Sequence, residues 1–384
     1  MIGQGAPSAL AGALAAQGRV LGWDLLRGVC ALLVAAYHLL YWTELAQLHV
    51  FGSYGVYLFF VLSGASMAYT YAGRFESGRF RFGEFLWVRF WRLAPLYVVL
   101  MLVVVPTMGI WYGPVTRLLG VMFLNASMMM GLYNPSGFAL LTGGWSLGVE
   151  AVFYLLFPLV LLALKSWRAA LGLFAVCVVL QVWWISRTYG AVDMPAASQY
   201  LAYHNAPAFA AYFVGGCLIG QLARTGLWTA YLSAGRGLLI LLAGFALMLA
   251  VNPIQGTDEL TGWRGCLLAP LCLVMVAVAG RVRLEGQLKG AYQRLSQHLG
   301  DATYGVYLIH PVLYFYVAPA LGLEALKTGT TGGRLLLALA ILLASFILAL
   351  ASERLFEQPV RRWSKALLAR WRAARVAAKA AAQP

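Results

Sequence analysis

The sequence predicts an all-α fold, a polytopic bundle of about ten transmembrane helices. Three observations predict it. Of 384 residues, 62% are hydrophobic and only 11% charged, too little charge to cover a soluble protein of this length. Apolar stretches of about 17–21 residues, near the length that crosses the hydrocarbon, recur along the whole chain. Basic residues gather in alternate gaps between those stretches.

The stretches are 24–43, 53–72, 92–110, 145–164, 169–187, 204–222, 236–252, 262–280, 303–321 and 333–353. Arg74, Arg79, Arg81, Arg89 and Arg92 lie between the second and third, and Lys165 and Arg168 between the fourth and fifth. Arg224 and Arg236 follow the sixth, and Arg281, Arg283, Lys289 and Arg294 follow the eighth. The other gaps are poor in Lys and Arg, so the positive-inside rule puts both termini in the cytoplasm. Residues 113–132 are apolar enough to enter the bilayer, but a full span there would put Lys165 and Arg168 outside. A re-entrant or interfacial helix on the outer side is therefore expected, with eleven spans as the alternative. The organisation follows: an N-terminal cytoplasmic tail over 1–22, a transmembrane domain over 23–359, and a basic cytoplasmic tail over 360–384. No internal repeat is evident.

The net charge of +15 would suggest nucleic acid in a soluble protein. Here it sits in loops and in the tail (Arg361, Arg362, Lys365, Arg370, Arg372, Arg375, Lys379), the pattern of faces that meet anionic lipid headgroups. Nothing resembles a base-stacking platform, so no nucleic-acid partner is expected. Cys30, Cys177, Cys217, Cys266 and Cys272 are dispersed in or beside apolar runs without a Cys-x-x-Cys pair, and read as small core side chains rather than a disulfide framework or zinc site. The N-terminus lacks the pattern of a removable signal peptide.

Polar residues inside the apolar stretches carry the functional reading. Arg27 and His38 are eleven positions apart in the first. That is almost three helical turns, so both point the same way about 16 Å apart. An ionisable group in a span costs about 2.5 kcal/mol or more and rarely persists without a task. His38 suits a general base, or else a histidine hydrogen-bonded between helices. Arg27 suits an anchor for an anionic donor, a headgroup contact, or a partner for Asp24.

Glu150, in Trp145-Ser146-Leu147-Gly148-Val149-Glu150, lies about 8 Å below Trp145 by helical rise. That depth roughly matches His38, so Glu150 is expected to orient His38 and steady its protonated form, unless it only reaches interfacial water. Trp145 alone reads as an aromatic-belt residue. Tyr304, Tyr307 and His310 recur every three residues and form one polar stripe before Pro311, suiting a channel lining, a second acid–base group, or else a hydrogen-bonded contact between helices. Arg89 and Arg92 stand one turn apart at the inner mouth of the third stretch. In Phe59-Phe60-Val61-Leu62-Ser63-Gly64 the small residues read as helix packing, and Ser63 lacks a neighbouring base that would make it a nucleophile.

Arg27-x10-His38, Phe59-Phe60-Val61-Leu62-Ser63-Gly64, Arg89-x-x-Arg92-x-x-Pro95, Trp145-Ser146-Leu147-x-x-Glu150, Tyr304-x-x-Tyr307-x-x-His310 and Glu357-x-Pro359 occur in this order. Together they resemble the acyltransferase-3 family of integral membrane acyltransferases, over about residues 22 to 362. The resemblance implies transfer of an acyl group, usually acetyl, from cytosolic acyl-CoA to a sugar hydroxyl. Family acceptors include O-antigen, exopolysaccharide, Nod-factor-like oligosaccharides, peptidoglycan and macrolide antibiotics. It implies His38 as the catalytic residue, with Glu150 as the acidic residue of the Trp-Ser-Leu motif. Arg27, Arg89 and Arg92 would bind acyl-CoA, the co-substrate. Unlike some members, this chain ends in a short basic tail without a hydrolase-like domain.

The expectation is thus an O-acetyltransferase of the bacterial plasma (inner) membrane with a channel between spans one, three, four and nine. Acetyl-CoA would bind at the cytoplasmic mouth. A carbohydrate or lipid-linked saccharide acceptor would arrive from outside, with Trp145, Ser146, Tyr304, Tyr307 and His310 lining its site. Direct transfer and an acyl-histidine route both stay open. The alternative is a proton-coupled transporter of a sugar or drug with a His–Glu relay. No metal is expected, since His38, Glu150 and His310 lack tight ligand spacing.

Overall fold

The computed structural model describes residues 19–78, 80–108, 115–189, 196–227, 231–252, 260–284 and 286–381. Most of the predicted N-terminal tail, Arg79 and residues 109–114 lie outside these. The longer helices are α1 (Leu21–Trp42), α2 (His49–Glu76), α3 (Phe82–Met108), α4 (Val115–Ala126), α5 (Gly144–Ala163) and α6 (Trp167–Tyr189). They continue as α7 (Ala210–Arg224), α8 (Ala234–Ala250), α9 (Gly262–Arg281), α10 (Lys289–Val312), α11 (Thr331–Ser352) and α12 (Gln358–Ala381). The strands Leu232–Ser233 and Val282–Arg283 pair in parallel over two residues each, so the fold is all-α.

Among the described residues, eight helical segments are long and apolar enough to cross a membrane. The other two predicted stretches are also helical but differ. α8 has 17 residues, and α10 carries Lys289, Arg294, His298 and Asp301 before its apolar part, which begins after Asp301. α10 then runs on through a π-helical turn, Leu313–Val317.

The 113–132 segment becomes α4, a helix of 12 residues, followed by a 3-10 turn at Met129–Leu132. A helix of that length spans about 18 Å, short of the hydrocarbon thickness, so α4 is no eleventh span. Asn125 ties it down. Its Oδ1 accepts from Tyr97 Oη (2.6 Å) and Leu140 N (3.0 Å), and its Nδ2 donates to Phe138 O (2.7 Å) and Val121 O (2.8 Å). Those four bonds use the full capacity of a carboxamide. They hold the chain that leads into α5, where Gly143 and Ser146 lie.

α2 and α7 form the centre of the bundle through small residues. A Cβ at Gly64 would lie 2.1 Å from Phe213 O, and one at Gly216 the same distance from Val61 O. Only hydrogen at those positions lets the two backbones approach, which makes Gly64 the packing residue its sequence context suggests.

α11 and α12 are continuous through a second π-helical turn, Glu353–Glu357. The resulting helix, Thr331–Arg375, has 45 residues and so is about 67 Å long, beyond any bilayer. Its last part leans on the start of α3. Trp87 Nε1 donates to Ser364 O (3.0 Å), Arg372 grips Glu84 through two bonds (2.8 and 2.6 Å), and Trp371 and Trp363 meet Trp87 and Trp91 edge-on. The basic tail is therefore a packed helix. The five cysteines are free thiols; four are buried, as their sequence context suggests, but Cys266 is exposed on α9.

Candidate active site

A cavity of about 650 Å³ lies between α1, α2, α3, α5, α10 and the α11–α12 junction. Arg27, Arg89, Arg92, Ser146, Glu150, Tyr304 and Tyr307 line it. It thus gathers seven of the ten residues singled out from sequence. α2 and the 353–365 segment join its walls, which the expected four-helix channel lacks.

At the mouth, cations outnumber carboxylates. Arg19 pairs with Asp24 (2.7 Å) and Asp301 (2.9 Å), and Arg361 pairs with Glu353 and with Glu357 (3.5 Å). Arg92, Arg362 and Lys365 line the cavity, are exposed, and have no ion-pair partner among the described residues. Unpaired cations converging on one opening make a seat for a polyanion.

Arg27 takes one of the roles its position allows, as the partner of Asp24, and lines the cavity. Its Nη2 donates to Ser66 Oγ (2.7 Å) and Leu62 O (3.3 Å), while Nη1 lies 3.3 Å from Asp24 Oδ1. Deeper in, Glu150 Oε1 accepts from Ser63 Oγ (2.7 Å), Arg89 Nη2 (3.3 Å) and the Tyr154 hydroxyl. Arg89 also reaches the Tyr154 hydroxyl. Tyr304 donates its hydroxyl to Leu93 O on α3.

The cavity reaches Tyr307. Its hydroxyl lies 3.0 Å from Ser146 Oγ and donates to Gly143 O at 3.1 Å, while Ser146 Oγ also donates to Gly143 O (2.9 Å). Gly143 has φ +81°, and a Cβ there would lie 2.8 Å from the Tyr307 ring. This corner needs glycine twice over, for conformation and for space.

His38 and His310 do not line the cavity. They sit past Tyr307, whose ring centroid is 6.4 Å from that of His310. His38 Nδ1 lies 3.0 Å from His310 Nε2, and His310 Nδ1 lies 2.8 Å from Val306 O. His38 and His310 lie side by side (centroids 5.3 Å apart), and the Trp42 ring lies near-parallel to both, at 5.0 Å from His38 and 5.8 Å from His310. The ring therefore faces the bundle.

Two expectations need correction. Glu150 does not pair with His38: its partners are on α2, α3 and α5, and the partner of His38 is His310. Equal depth on two helices does not give equal direction, and α10 supplies the group that packs against His38. Trp145 is not on the cavity either; it packs on His204 (centroids 3.8 Å apart) and Phe209 (5.4 Å). Sequence reasoning passed over Tyr154, read Ser63 as a packing residue, and placed Arg362 and Lys365 in the tail rather than at this site. Tyr154 lies one turn after Glu150, a spacing that signals contact. Ser63 carried no such signal, because its partner is on another helix. Among the described residues, no three His, Cys, Asp or Glu side chains are grouped to hold a metal ion.

Comparison with known proteins adds the chemistry. A model of the acyltransferase-3 family, described as an acyltransferase domain, matches residues 20–353. The chain is similar to acyltransferase MdmB of Streptomyces mycarofaciens, 25% identical over 345 residues, which cover 83% of this chain and 84% of that protein. No solved structure matches.

Proposed function

Because this chain belongs to the acyltransferase-3 family, and is therefore a membrane acyltransferase rather than a transporter, we propose that it moves an acetyl or other short acyl group from acyl-CoA to a sugar hydroxyl. The acceptor is a cell-surface or exported polysaccharide, or its lipid-linked precursor. The membrane is the bacterial plasma membrane, with the basic face and both termini cytoplasmic. The observation that carries this reading is the shape of the site: a cavity with unpaired cations at its mouth, ending one tyrosine short of a paired histidine.

The nucleotide phosphates of the donor would meet Arg92, Arg362 and Lys365, with Arg27 and Arg89 deeper. The pantetheine arm would follow Phe59, Phe60 and Leu147 toward Ser146 and Tyr307. A hydroxyl of Tyr307 or Ser146 that turns from Gly143 O would then donate to the thioester oxygen as it gains charge. Reaction requires the Tyr307 ring to yield, bringing the thioester to His38. His38 takes the acceptor's hydroxyl proton as that oxygen attacks the thioester carbon. The C–S bond breaks, and the imidazolium returns the proton to the thiolate. Such general-base help is typically worth about 10²–10⁴ in rate. Glu150 acts at a distance from this step, holding Arg89.

The test is transfer of radiolabel from acetyl-CoA to a panel of sugar acceptors by the purified protein in lipid nanodiscs. Wild type is expected to label an acceptor and release free CoA. His38→Ala is expected to remain folded and to label nothing. Near-normal labelling by that variant would remove His38 from the reaction. No turnover of any acyl-CoA by wild type would remove the donor assignment.

A further inference from the structure

Two neighbouring imidazoles can share a proton in several arrangements, but a backbone carbonyl removes that freedom here. His310 Nδ1 lies 2.8 Å from Val306 O, one helical turn back. A carbonyl oxygen only accepts, so His310 Nδ1 carries the hydrogen. In the neutral ring, His310 Nε2 then holds a lone pair. That atom lies 3.0 Å from His38 Nδ1, so His38 Nδ1 must donate. In neutral His38, the remaining lone pair falls on Nε2.

We infer that His310 is a positioning residue that fixes the tautomer of His38, leaving Nε2 of His38 as the nitrogen that receives the acceptor's proton. The inference rests on the reading of His38 as that proton acceptor. His310 is suited to the task because it is held on all sides. It is 1% exposed, sits on the stretch of α10 that packs along α1, and is followed by Pro311. The two rings are nearly parallel, 11° apart, and the Trp42 ring lies against both, 5° from the plane of His38 and 16° from that of His310. His38 therefore has little freedom to turn over and present Nδ1 instead. The opposite tautomer would set two lone pairs against each other at the same 3.0 Å.

During transfer, the acceptor hydroxyl gives its proton to His38 Nε2 while its oxygen bonds to the thioester carbon. His38 is then protonated on both nitrogens. The Nδ1–H bond to His310 Nε2 stays in place and shortens, because its donor is now charged. The departing thiolate takes the Nε2 proton, and the pair returns to its starting arrangement with no net change. The role expected for Glu150 from sequence thus falls to a neutral imidazole on α10.

The test is nitrogen NMR of full-length protein labelled with ¹⁵N-histidine in nanodiscs, the five histidines being assigned by single replacement. His38 in wild type is expected as the Nδ1–H tautomer. In His310→Leu that tautomer should give way to the mixture of a free imidazole, and acyl transfer should fall about 10²-fold or more, with the unfolding temperature as a control on folding. His310→Gln can place a carboxamide oxygen where Nε2 was, so it should restore both the tautomer and part of the rate. An Nε2–H tautomer in wild type would overturn the inference. So would a His310→Leu protein that keeps both the Nδ1–H tautomer and full activity. A wild-type Nδ1–H tautomer in a protein whose His38→Ala variant stays active would uphold the tautomer lock and sink only the catalytic reading.

Discussion

Ser63 Oγ donates to Glu150 Oε1 at 2.7 Å, joining α2 to α5 across 87 residues of sequence. The same carboxylate oxygen takes Arg89 and Tyr154, so one atom gathers three helices beside the cavity. Ser63→Ala removes one of three donors and is expected to cost about 1 kcal/mol of stability. Glu150→Gln leaves Arg89 half-buried without its counter-charge and should cost more, about 2–3 kcal/mol. Thermal unfolding in detergent reads both. An unfolding temperature for Glu150→Gln at or above that of Ser63→Ala would refute the ranking.

The unpaired cations at the mouth call for a binding experiment. Arg92→Ala and Lys365→Ala are each expected to weaken acyl-CoA binding about tenfold, the loss of one charge-assisted bond, with kcat little changed. Their effects should shrink as salt rises. Binding titration at two ionic strengths checks this. Unchanged affinity in the double variant would remove the mouth as the phosphate seat.

Gly64 is a packing position whose failure is structural. Even one methyl group there would lie 2.1 Å from a backbone oxygen of α7, which cannot step aside without moving the helix. Gly64→Val is expected to abolish folded, monodisperse protein on size-exclusion chromatography. Gly120, with nothing within 4 Å of an added Cβ, is the control and should tolerate Ala.

Asn125 makes a graded prediction. Asn125→Ala removes the acceptor that the buried Leu140 N–H and the Tyr97 hydroxyl share. With about 1–3 kcal/mol for a buried group left unsatisfied, the Leu140 N–H alone should cost about 1–3 kcal/mol. Because Asn125 holds the chain entering α5, activity should fall with it even below the unfolding temperature. Proteolysis of the 127–143 segment would report the loosening. A fully active, protease-resistant variant would contradict this account.

The residues of the cavity were legible where they broke a hydrophobic run. Arg27, Arg89, Arg92, Glu150, Tyr304 and Tyr307 all stand out as polar groups in apolar surroundings, and all line it. Ser63 and Gly64 read alike as small packing residues, yet Gly64 serves backbone approach and Ser63 serves Glu150. Nothing in one helix distinguishes them, because the difference is set by which helix lies opposite. Arg362 and Lys365 were visible only as tail charges. Their place at the mouth depends on the α11–α12 helix continuing through Glu353–Glu357 and packing against the start of α3.

The sequence by itself determined the class of molecule. Hydrophobic run length decides what partitions into a bilayer, and such a run must form a helix to satisfy its own backbone. Helical periodicity likewise determined that Tyr304, Tyr307 and His310 share one face. Tertiary structure decided the pairings. A helix's sequence states depth and azimuth on that helix, but a hydrogen bond needs a second helix at a given distance and rotation. That is why His38 meets His310 rather than Glu150, and why Tyr307 stands between the histidines and the cavity.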